Sequence, residues 1–347
     1  MSSSLDDFGG WPSILGTLQA NADLSADQTE AVLGTILSGE ATDAQIAGFI
    51  IALRQKGETT DELAGLVRAM HAAATPLDIP DHTIDIVGMG GAPSRRKAAL
   101  NVSTMACFVA AAAGAVVCKH GNRKASSTSG SFDLLEAAGV NFDVAPEVLE
   151  RLVKTTGLGF AFARTYHPAM RHVGPVRAEL GIPTVFNTLG PLSHPGRVTR
   201  QVVGIADDSA ADRVIDVLRA TGSVHSWVVT GEGPLDELST TGPTKVRQLV
   251  DGEITALTID PAELGLQPPG AGELDGGDAQ DNTAIMKRLF GGERGPVHDI
   301  VALNAGAGLV VAGVATDIAN GFELAADAIA SGAAARKFDE HLAAAAE

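Results

Sequence analysis

Asp236 and Glu237 stand side by side in Leu235-Asp-Glu-Leu-Ser-Thr, just after a run, Val224–Thr230, that reads as a β-strand. Paired carboxylates beyond a strand end suit a hard divalent cation that bridges to phosphates. Adjacent acids are also common on protein surfaces, so the pair gains weight from its company. Between Asp85 and Asp133 the chain has no carboxylate for 47 residues, Ile86 to Phe132, although it carries 42 Asp and Glu in all. The same stretch holds Arg95, Arg96, Lys97, Lys119, Arg123 and Lys124, two glycine-bearing turns and a run of hydroxyls. A segment cleared of negative charge and supplied with cations and backbone N–H donors is built to hold an anion. The apolar run from Met105 to Val117 accounts for missing acids, but not for the cations at its two edges.

The first turn is Val87-Gly88-Met89-Gly90-Gly91, which follows a strand-like run and precedes a helix starting near Asn101-Val-Ser103-Thr104. Glycines let the backbone approach a ligand, and a helix start offers unpaired N–H groups to an anion. The Ser103 and Thr104 hydroxyls add donors or a metal ligand. The pattern is neither a Walker loop nor a full dinucleotide fingerprint, since no Gly-Lys-Ser/Thr follows and the glycine spacing differs. The second element is Lys119-His120-Gly-Asn122-Arg-Lys-Ala-Ser126-Ser127-Thr-Ser-Gly-Ser131, read as a loop after a strand. In a parallel sheet two such loops lie at one edge, where open α/β sheets bind ligands. A lone histidine such as His120 in that setting is more often a hydrogen-bonding partner than a base.

Those loops need a sheet. Strand-like runs occur at Thr83–Gly88, Gly114–Cys118, Gly159–Ala163, Thr199–Ile205 and Val224–Thr230, and helical patterns occupy 102–113, 130–138, 146–156, 167–180 and 208–221. Alternation of the two predicts an α/β domain with a central, mostly parallel sheet flanked by helices. Arg247–Ile259 reads as a hairpin about Asp251-Gly252, and 276–346 as helices. Residues 8–73 are different. Their apolar residues recur at helical spacing, with cap-like openings at Ser25, Thr42 and Thr60 and stops at Gly39 and Gly57. We therefore expect a small N-terminal helical domain, 1–78, completed by helices near 167–195, hinged near Pro76 and Pro80 to an α/β domain, 79–347.

Net charge −17 and pI ≈ 4.9 argue against a binder of nucleic acid or of an anionic membrane. Cys107 and Cys118 sit in apolar runs without metal-ligand spacing and read as reduced core residues of a cytosolic protein. The N-terminal Met-Ser-Ser-Ser-Leu-Asp-Asp does not read as a signal peptide, and the most apolar stretch is too short to span a bilayer.

Taken together, Asp85-Ile-Val-Gly-Met-Gly-Gly, Asn101-Val-Ser-Thr, Lys119-His-Gly-Asn-Arg-Lys-Ala-Ser-Ser, Arg177-Ala-Glu-Leu-Gly-Ile-Pro-Thr-Val-Phe-Asn-Thr-Leu-Gly-Pro-Leu, Leu235-Asp-Glu-Leu-Ser-Thr and Gly276-Gly-Asp-Ala-Gln-Asp-Asn resemble the anthranilate phosphoribosyltransferases, in order and over nearly the whole chain. That family shares its fold with the pyrimidine nucleoside phosphorylases. The resemblance implies phosphoribosyl pyrophosphate and anthranilate as substrates, with Mg²⁺ as cofactor, in tryptophan biosynthesis. It implies that Gly88, Gly91, Asn101, Ser103, Thr104, Lys119, Asn122, Ser126, Ser127 and Ser131 hold the donor. It implies that Ser103, Asp236 and Glu237 hold the metal, and that Gly88, Asn122 and Arg177 face the acceptor. His120 and His167 are further acceptor-side candidates. A homodimer meeting through the helical domain is implied as well.

The first glycine loop departs from the family pattern Gly-Thr-Gly-Gly-Asp followed by Thr-x-Asn. Met89 stands for the Thr, Ala92 for the Asp and Ala99 for the second Thr, and 92–100 is longer, with Arg95, Arg96 and Lys97 added. Either these cations grip pyrophosphate by charge, or the acceptor is another aromatic or heterocyclic acid. A nucleoside phosphorylase, using phosphate without metal, is the more distant alternative.

Overall fold

The protein is described here from a computed structural model, covering residues 4–93, 98–124 and 127–346. Arg95, Arg96, Lys97 and Ser126, all expected at the donor site, lie outside these residues. The chain divides into two compact units: one of Met1–Pro76, Ala163–Arg197 and Asp216–Gly222, the other of Leu77–Phe162, Val198–Ile215 and Ser223–Glu347.

The first unit is helical. It contains α1 (Gly10–Gln19), α2 (Ala26–Leu37), α3 (Asp43–Lys56), α4 (Thr60–Ala73), the short α8 (Ala163–Tyr166), α9 (Gly174–Leu180) and α10 (Val185–Leu192). Ser25, Thr42 and Thr59 each cap a helix with the reciprocal bond from Gln28, Gln45 and Glu62. The third cap is Thr59 and not the expected Thr60, because Glu62 must stand three residues on to reach back to it. Glu62 is fully buried and takes the Leu24 N–H, the Thr59 N–H and the Lys56 ammonium, so one carboxylate joins the starts of α2 and α4 to the end of α3. The helical pattern expected over 167–180 is broken into a 3-10 turn, Pro168–His172, and α9, since Gly174 and Pro175 restart the helix.

The second unit carries a seven-stranded sheet in the order β3-β2-β1-β4-β5-β6-β7. Its strands are β1 (Ile84–Gly88), β2 (Val117–Gly121), β3 (Leu158–Phe162), β4 (Arg200–Gly204), β5 (His225–Thr230), β6 (Thr244–Val250) and β7 (Glu253–Ile259). The first five pair in parallel and the last two add antiparallel. Asp251 and Gly252, both at positive φ, make the tight β6–β7 turn. Helices α5 (Val102–Ala112), α6 (Ser131–Ala137), α7 (Pro146–Thr156), α12 (Ala279–Phe290), α13 (Pro296–Ala312), α14 (Ile318–Ala330) and α15 (Ala333–Ala345) complete it, and α11 (Ala211–Ala220) starts within it.

One apolar core joins Ile84, Ile86, Val202, Trp227 and Val229 of the sheet to α5, α13 and α14. Gly308 of α13 packs so near β1 that an added Cβ would lie 2.5 Å from Ile86 Cδ1. All five residues of β3, an outer strand, are buried, and α15 supplies part of their cover: the His341 ring lies 5.2 Å from that of Phe160 and bonds to the Leu158 backbone.

The order of the sheet sets where a ligand can sit. From β1 the chain winds one way through β2 and β3, then returns to β4 on the other side of β1. The carboxyl ends of β1 and β4 therefore flank the topological switch point, the place at which open α/β sheets leave a crevice.

Candidate active site

Asp236 occupies that switch point. Its Oδ2 accepts a hydrogen bond from the Gly90 N–H at 2.8 Å. Gly88 ends β1 and Gly204 ends β4, and both are glycine for a steric reason. A Cβ at Gly88 would lie 2.5 Å from Asp236 Oδ2, and one at Gly204 would lie 1.8 Å from the Asp236 carbonyl oxygen. Gly90 and Gly91 have φ of +73° and +90°, the left-handed region closed to most side chains. An added Cβ at either meets nothing within 4 Å. The turn thus bends by glycine, carries no side chain at Gly90 or Gly91, and directs a backbone N–H at the carboxylate.

Helix α5 opens beside this turn. Asn101 precedes it without capping it, because the Asn101 amide is engaged elsewhere. It donates to the Ser129 carbonyl, and its oxygen accepts from Ser129 Oγ and from Asn282 Nδ2. Asn282 also donates to the Ala99 carbonyl and accepts from the Gly277 N–H. Asn101 was expected on the donor; in this structure its side chain bolts together the first loop, the second loop and the segment 276–282. Sequence reading gave Asn282 no role of its own, and the available signal was an amide at the start of an otherwise amphipathic helix. With the cap missing, the first-turn N–H groups of Ser103 and Thr104 remain available to an anion. Thr104 Oγ1 is itself buried, so this residue has its backbone to offer.

Lys119 and His120 are strand residues of β2, not loop residues, and both are buried. Lys119 Nζ donates to the Ile86 carbonyl at 2.5 Å and to Ser103 Oγ at 3.3 Å, which brings the ammonium to the start of α5. That charge acts on Asp85, fully buried on β1. Burial pushes the Asp85 carboxyl up to about 7, against the opposing pull of Lys119, the His120 and Ile86 N–H groups and Gln201. Its Oδ1 accepts the His120 N–H, so Asp85 helps to set β2 where Lys119 leaves it.

The second loop is folded on Asp133, the first acid after the carboxylate-free stretch. Asp133 Oδ2 accepts the N–H groups of Lys124 and Gly130. Asn122 is exposed, its carbonyl accepting from Ser131 Oγ, and Ser127 Oγ donates to the Ser129 carbonyl. Arg123 turns to Glu136, 2.9 Å away, and lies over Phe142 and Phe162, so not every cation of this stretch serves the anion site. Ala92 and Ala99, which replace polar residues of the family pattern, are buried. The Ala99 N–H bonds to Thr128 Oγ1, and its carbonyl to Asn282.

In the helical unit, Arg177 is half-buried, 3.4 Å from Asn187 Oδ1 and stacked over Phe186 at 5.5 Å. Desolvation holds its basicity below the usual value. Among the described residues no carboxylate pairs with it, which suits the arrival of one on a ligand. His167 is buried and neutral, its pKa lowered to about 4 by burial, and it bonds to the Ser193 backbone. Its ring holds a loop.

Ser103, Asp236 and Glu237 offer oxygen donors alone, a hydroxyl and two carboxylates. That set fits a hard cation such as Mg²⁺, which takes one or two protein carboxylates and leaves its other positions to phosphates and water. Among the described residues no cluster of three or more His, Cys, Asp or Glu could form a metal site. No helix among them is long and apolar enough to cross a membrane. Cys107 and Cys118 are buried and form no disulfide, and burial pushes the Cys107 thiol up to about 12.

Residues 12–74 match the helical bundle domain of the glycosyl transferase family, and residues 80–335 match its a/b domain. Fold and site thus define a two-domain glycosyl transferase. An anthranilate phosphoribosyltransferase from a Nocardioides species is 48% identical over 339 residues, covering 96% of this chain and 98% of that one. The crystal structure of anthranilate phosphoribosyltransferase from Thermus thermophilus is 40% identical, with a TM-score of 0.90 over 96% of this chain and 99% of that one. The Saccharomyces cerevisiae enzyme in complex with phosphoribosyl pyrophosphate and Mg is 26% identical, with a TM-score of 0.86 over 97% of this chain and 98% of that one. The chain belongs to the anthranilate phosphoribosyltransferase family.

Proposed function

We propose that the protein transfers the 5-phosphoribosyl group from phosphoribosyl pyrophosphate to anthranilate, giving N-(5-phosphoribosyl)anthranilate and pyrophosphate, a step of tryptophan biosynthesis. The observation that carries this reading is the grouping at the ends of β1 and β4. A glycine turn, an uncapped helix start with Lys119 beside it, and the Asp236 carboxylate hydrogen-bonded to the Gly90 N–H lie together there. In the transfer, the bond from C1 of ribose to pyrophosphate breaks as the anthranilate nitrogen bonds to C1. The amine proton passes to the substrate's own ortho carboxylate, so no strong protein base is required.

Negative charge grows on the departing pyrophosphate. Gly88, Gly91, Ser103, Thr104, Lys119, Asn122, Ser127 and Ser131 would hold the donor with N–H, hydroxyl and ammonium groups, and Asn101 would keep their loops in register. Such preorganised donors stabilise a transition state without reorganisation at the moment of reaction. Ser103, Asp236 and Glu237 would hold Mg²⁺, which when bound neutralises charge on the leaving group. Arg177 would take the anthranilate carboxylate with its fork of N–H groups, with Gly88 and Asn122 also facing the acceptor. The family resemblance further supports a cytoplasmic homodimer formed through helical domains, where Ile51 and Ile182 are exposed.

Anthranilate fluorescence tests the reading. It should decay when phosphoribosyl pyrophosphate and Mg²⁺ are both present, with one pyrophosphate released per anthranilate consumed. Phosphorolysis of a nucleoside without metal, and no decay of anthranilate, would replace this reading by the nucleoside phosphorylase alternative. For the acceptor residue we expect Arg177→Ala to raise the KM for anthranilate roughly ten- to a hundredfold, the worth of one charge-assisted clamp, with little change in the donor KM. Equal shifts in both constants would make Arg177 a structural residue.

A further inference from the structure

The Asp236–Glu237 pair sits on a loop between β5 and β6, and loops are a poor support for ligands that must be held to fractions of an ångström. This loop is held by one buried side chain from a distant helix. Asn304 of α13 is 3% exposed. Its Oδ1 accepts the Leu238 N–H at 2.9 Å, and its Nδ2 donates to the Leu238 carbonyl at 3.0 Å. The amide thus pairs with both main-chain groups of the residue next to Glu237, as a neighbouring strand would. The other Nδ2 hydrogen goes to the Ile300 carbonyl one turn back at 2.9 Å, which fixes the side chain on its own helix.

We propose that Asn304 is the positioning residue of the carboxylate pair, acting through the Leu238 main chain to set Asp236 and Glu237 against the glycine turn. The inference rests on the reading of that pair as the Mg²⁺-holding group.

Three observations carry it. First, Asn304 lies in the buried sequence Ala302-Leu303-Asn304-Ala305, and an apolar residue in its place would take away the partner of the buried Leu238 N–H and carbonyl. A buried amide is retained without penalty when its hydrogen bonds are met, and here both donors and the acceptor are used. Second, α13 is rigidly referenced to β1, since Gly308 packs on Ile86. The clamp therefore ties the carboxylate loop to the strand that ends at Gly88. Third, the loop is already pressed onto the strand ends from the other side. The Asp236 carbonyl fills the space a Cβ would take at Gly204, and the Glu237 carbonyl lies 2.4 Å from where one would stand at Gly231. With Asn304 behind and glycines in front, the main chain of 236–238 has little room to shift. Asn304 touches neither substrate nor metal in this scheme and is no catalytic residue. Its effect is the one expected of groups that orient metal ligands, whose loss commonly weakens metal binding by roughly 10- to 100-fold.

The test is Asn304→Ala in the full chain, with donor affinity measured by calorimetry across a series of Mg²⁺ concentrations. We expect the Mg²⁺ concentration that supports half-maximal donor affinity to rise about tenfold, and the KM for anthranilate to stay within about twofold. An unchanged Mg²⁺ dependence in the folded variant overturns the proposal, and so does an equal loss in anthranilate KM, the mark of a merely structural role. Should the variant fail to fold, hydrogen exchange of the native protein decides. The Leu238 amide should be protected like the amides of β5, and exchange at the rate of an exposed loop amide overturns the clamp. If donor affinity of the native protein is indifferent to Mg²⁺, the reading of the carboxylate pair falls and the inference with it. A native dependence left unaltered by Asn304→Ala removes the inference alone.

Discussion

Asp236→Asn combined with Glu237→Gln should leave a folded protein with almost no turnover. Both replacements keep the shape of the side chain and remove its charge, and neither residue is fully buried. An amide oxygen at 236 can still accept the Gly90 N–H that Asp236 Oδ2 takes at 2.8 Å. The glycine contacts at 88 and 204 involve size, which is unchanged. The ability to hold a divalent cation beside a departing pyrophosphate is what disappears. That is worth several kcal/mol of barrier, so a fall in kcat on the order of a thousandfold is expected. Circular dichroism and the thermal midpoint should match the native protein. Near-native kcat at ordinary Mg²⁺ would remove the pair from the mechanism.

Lys119→Met should have the opposite effects on stability and on activity. An ammonium 2% exposed inside a sheet is costly to desolvate, and methionine fills the same volume without that cost. Asp85 is not left as a bare charge by the change. Burial already raises its carboxyl to about 7, and losing the Lys119 charge raises it further, so at neutral pH it keeps its proton. The sign of the pH effect follows. A carboxyl whose folded pKa lies above its unfolded one contributes stability that is complete below about pH 4 and is lost as pH rises through its folded pKa. In the native protein that loss is finished near pH 7, whereas in the variant it continues upward. Denaturant titration should therefore find Lys119→Met at least as stable as the native protein at about pH 6, with the advantage shrinking by about pH 8.5. Donor KM should rise about a hundredfold, the size of a lost charged hydrogen bond to an anion. A donor KM within about threefold of native would show that the ammonium serves the fold and not the ligand.

Lys119 also marks where the sequence was misleading. The β1 strand and its turn were legible because an apolar run ends in glycines. The strand before Lys119 was expected to stop at Cys118, because Lys-His reads as a polar loop. In the fold β2 runs on to Gly121, and the two polar residues are buried as the strand passes into the site. Local propensity lost to tertiary placement there, as it tends to at functional positions. The carboxylate-free stretch pointed to an anion site, but its two bounding acids were not legible as holding the same segments together. Asp85 takes the His120 N–H and Asp133 closes the second loop. The brackets Asn282 and Asn304 carried the faintest signal, since an amide in a helix is usually a surface residue and its partners lie far away in sequence. The contact between Gly204 and Asp236 could not be read at all, because it depends on strand order, which no local pattern encodes.

The burial of β3 bears on how the protein behaves in concentrated solution. Leu158-Gly-Phe-Ala-Phe162 is uncharged, free of proline and placed at the rim of the sheet, with a single strand partner in β2. Laid bare, such a segment would template pairing with another copy of itself and lead toward aggregation. Natural sheets often blunt a rim with lysine or proline. Here a lid of helix does it, with His341 on the Leu158 backbone and Lys337 Nζ donating to the Thr156 carbonyl at 2.7 Å. The last helix holds no residue of the proposed reaction, yet it covers a strand rim that, laid bare, would let copies of the chain pair with one another.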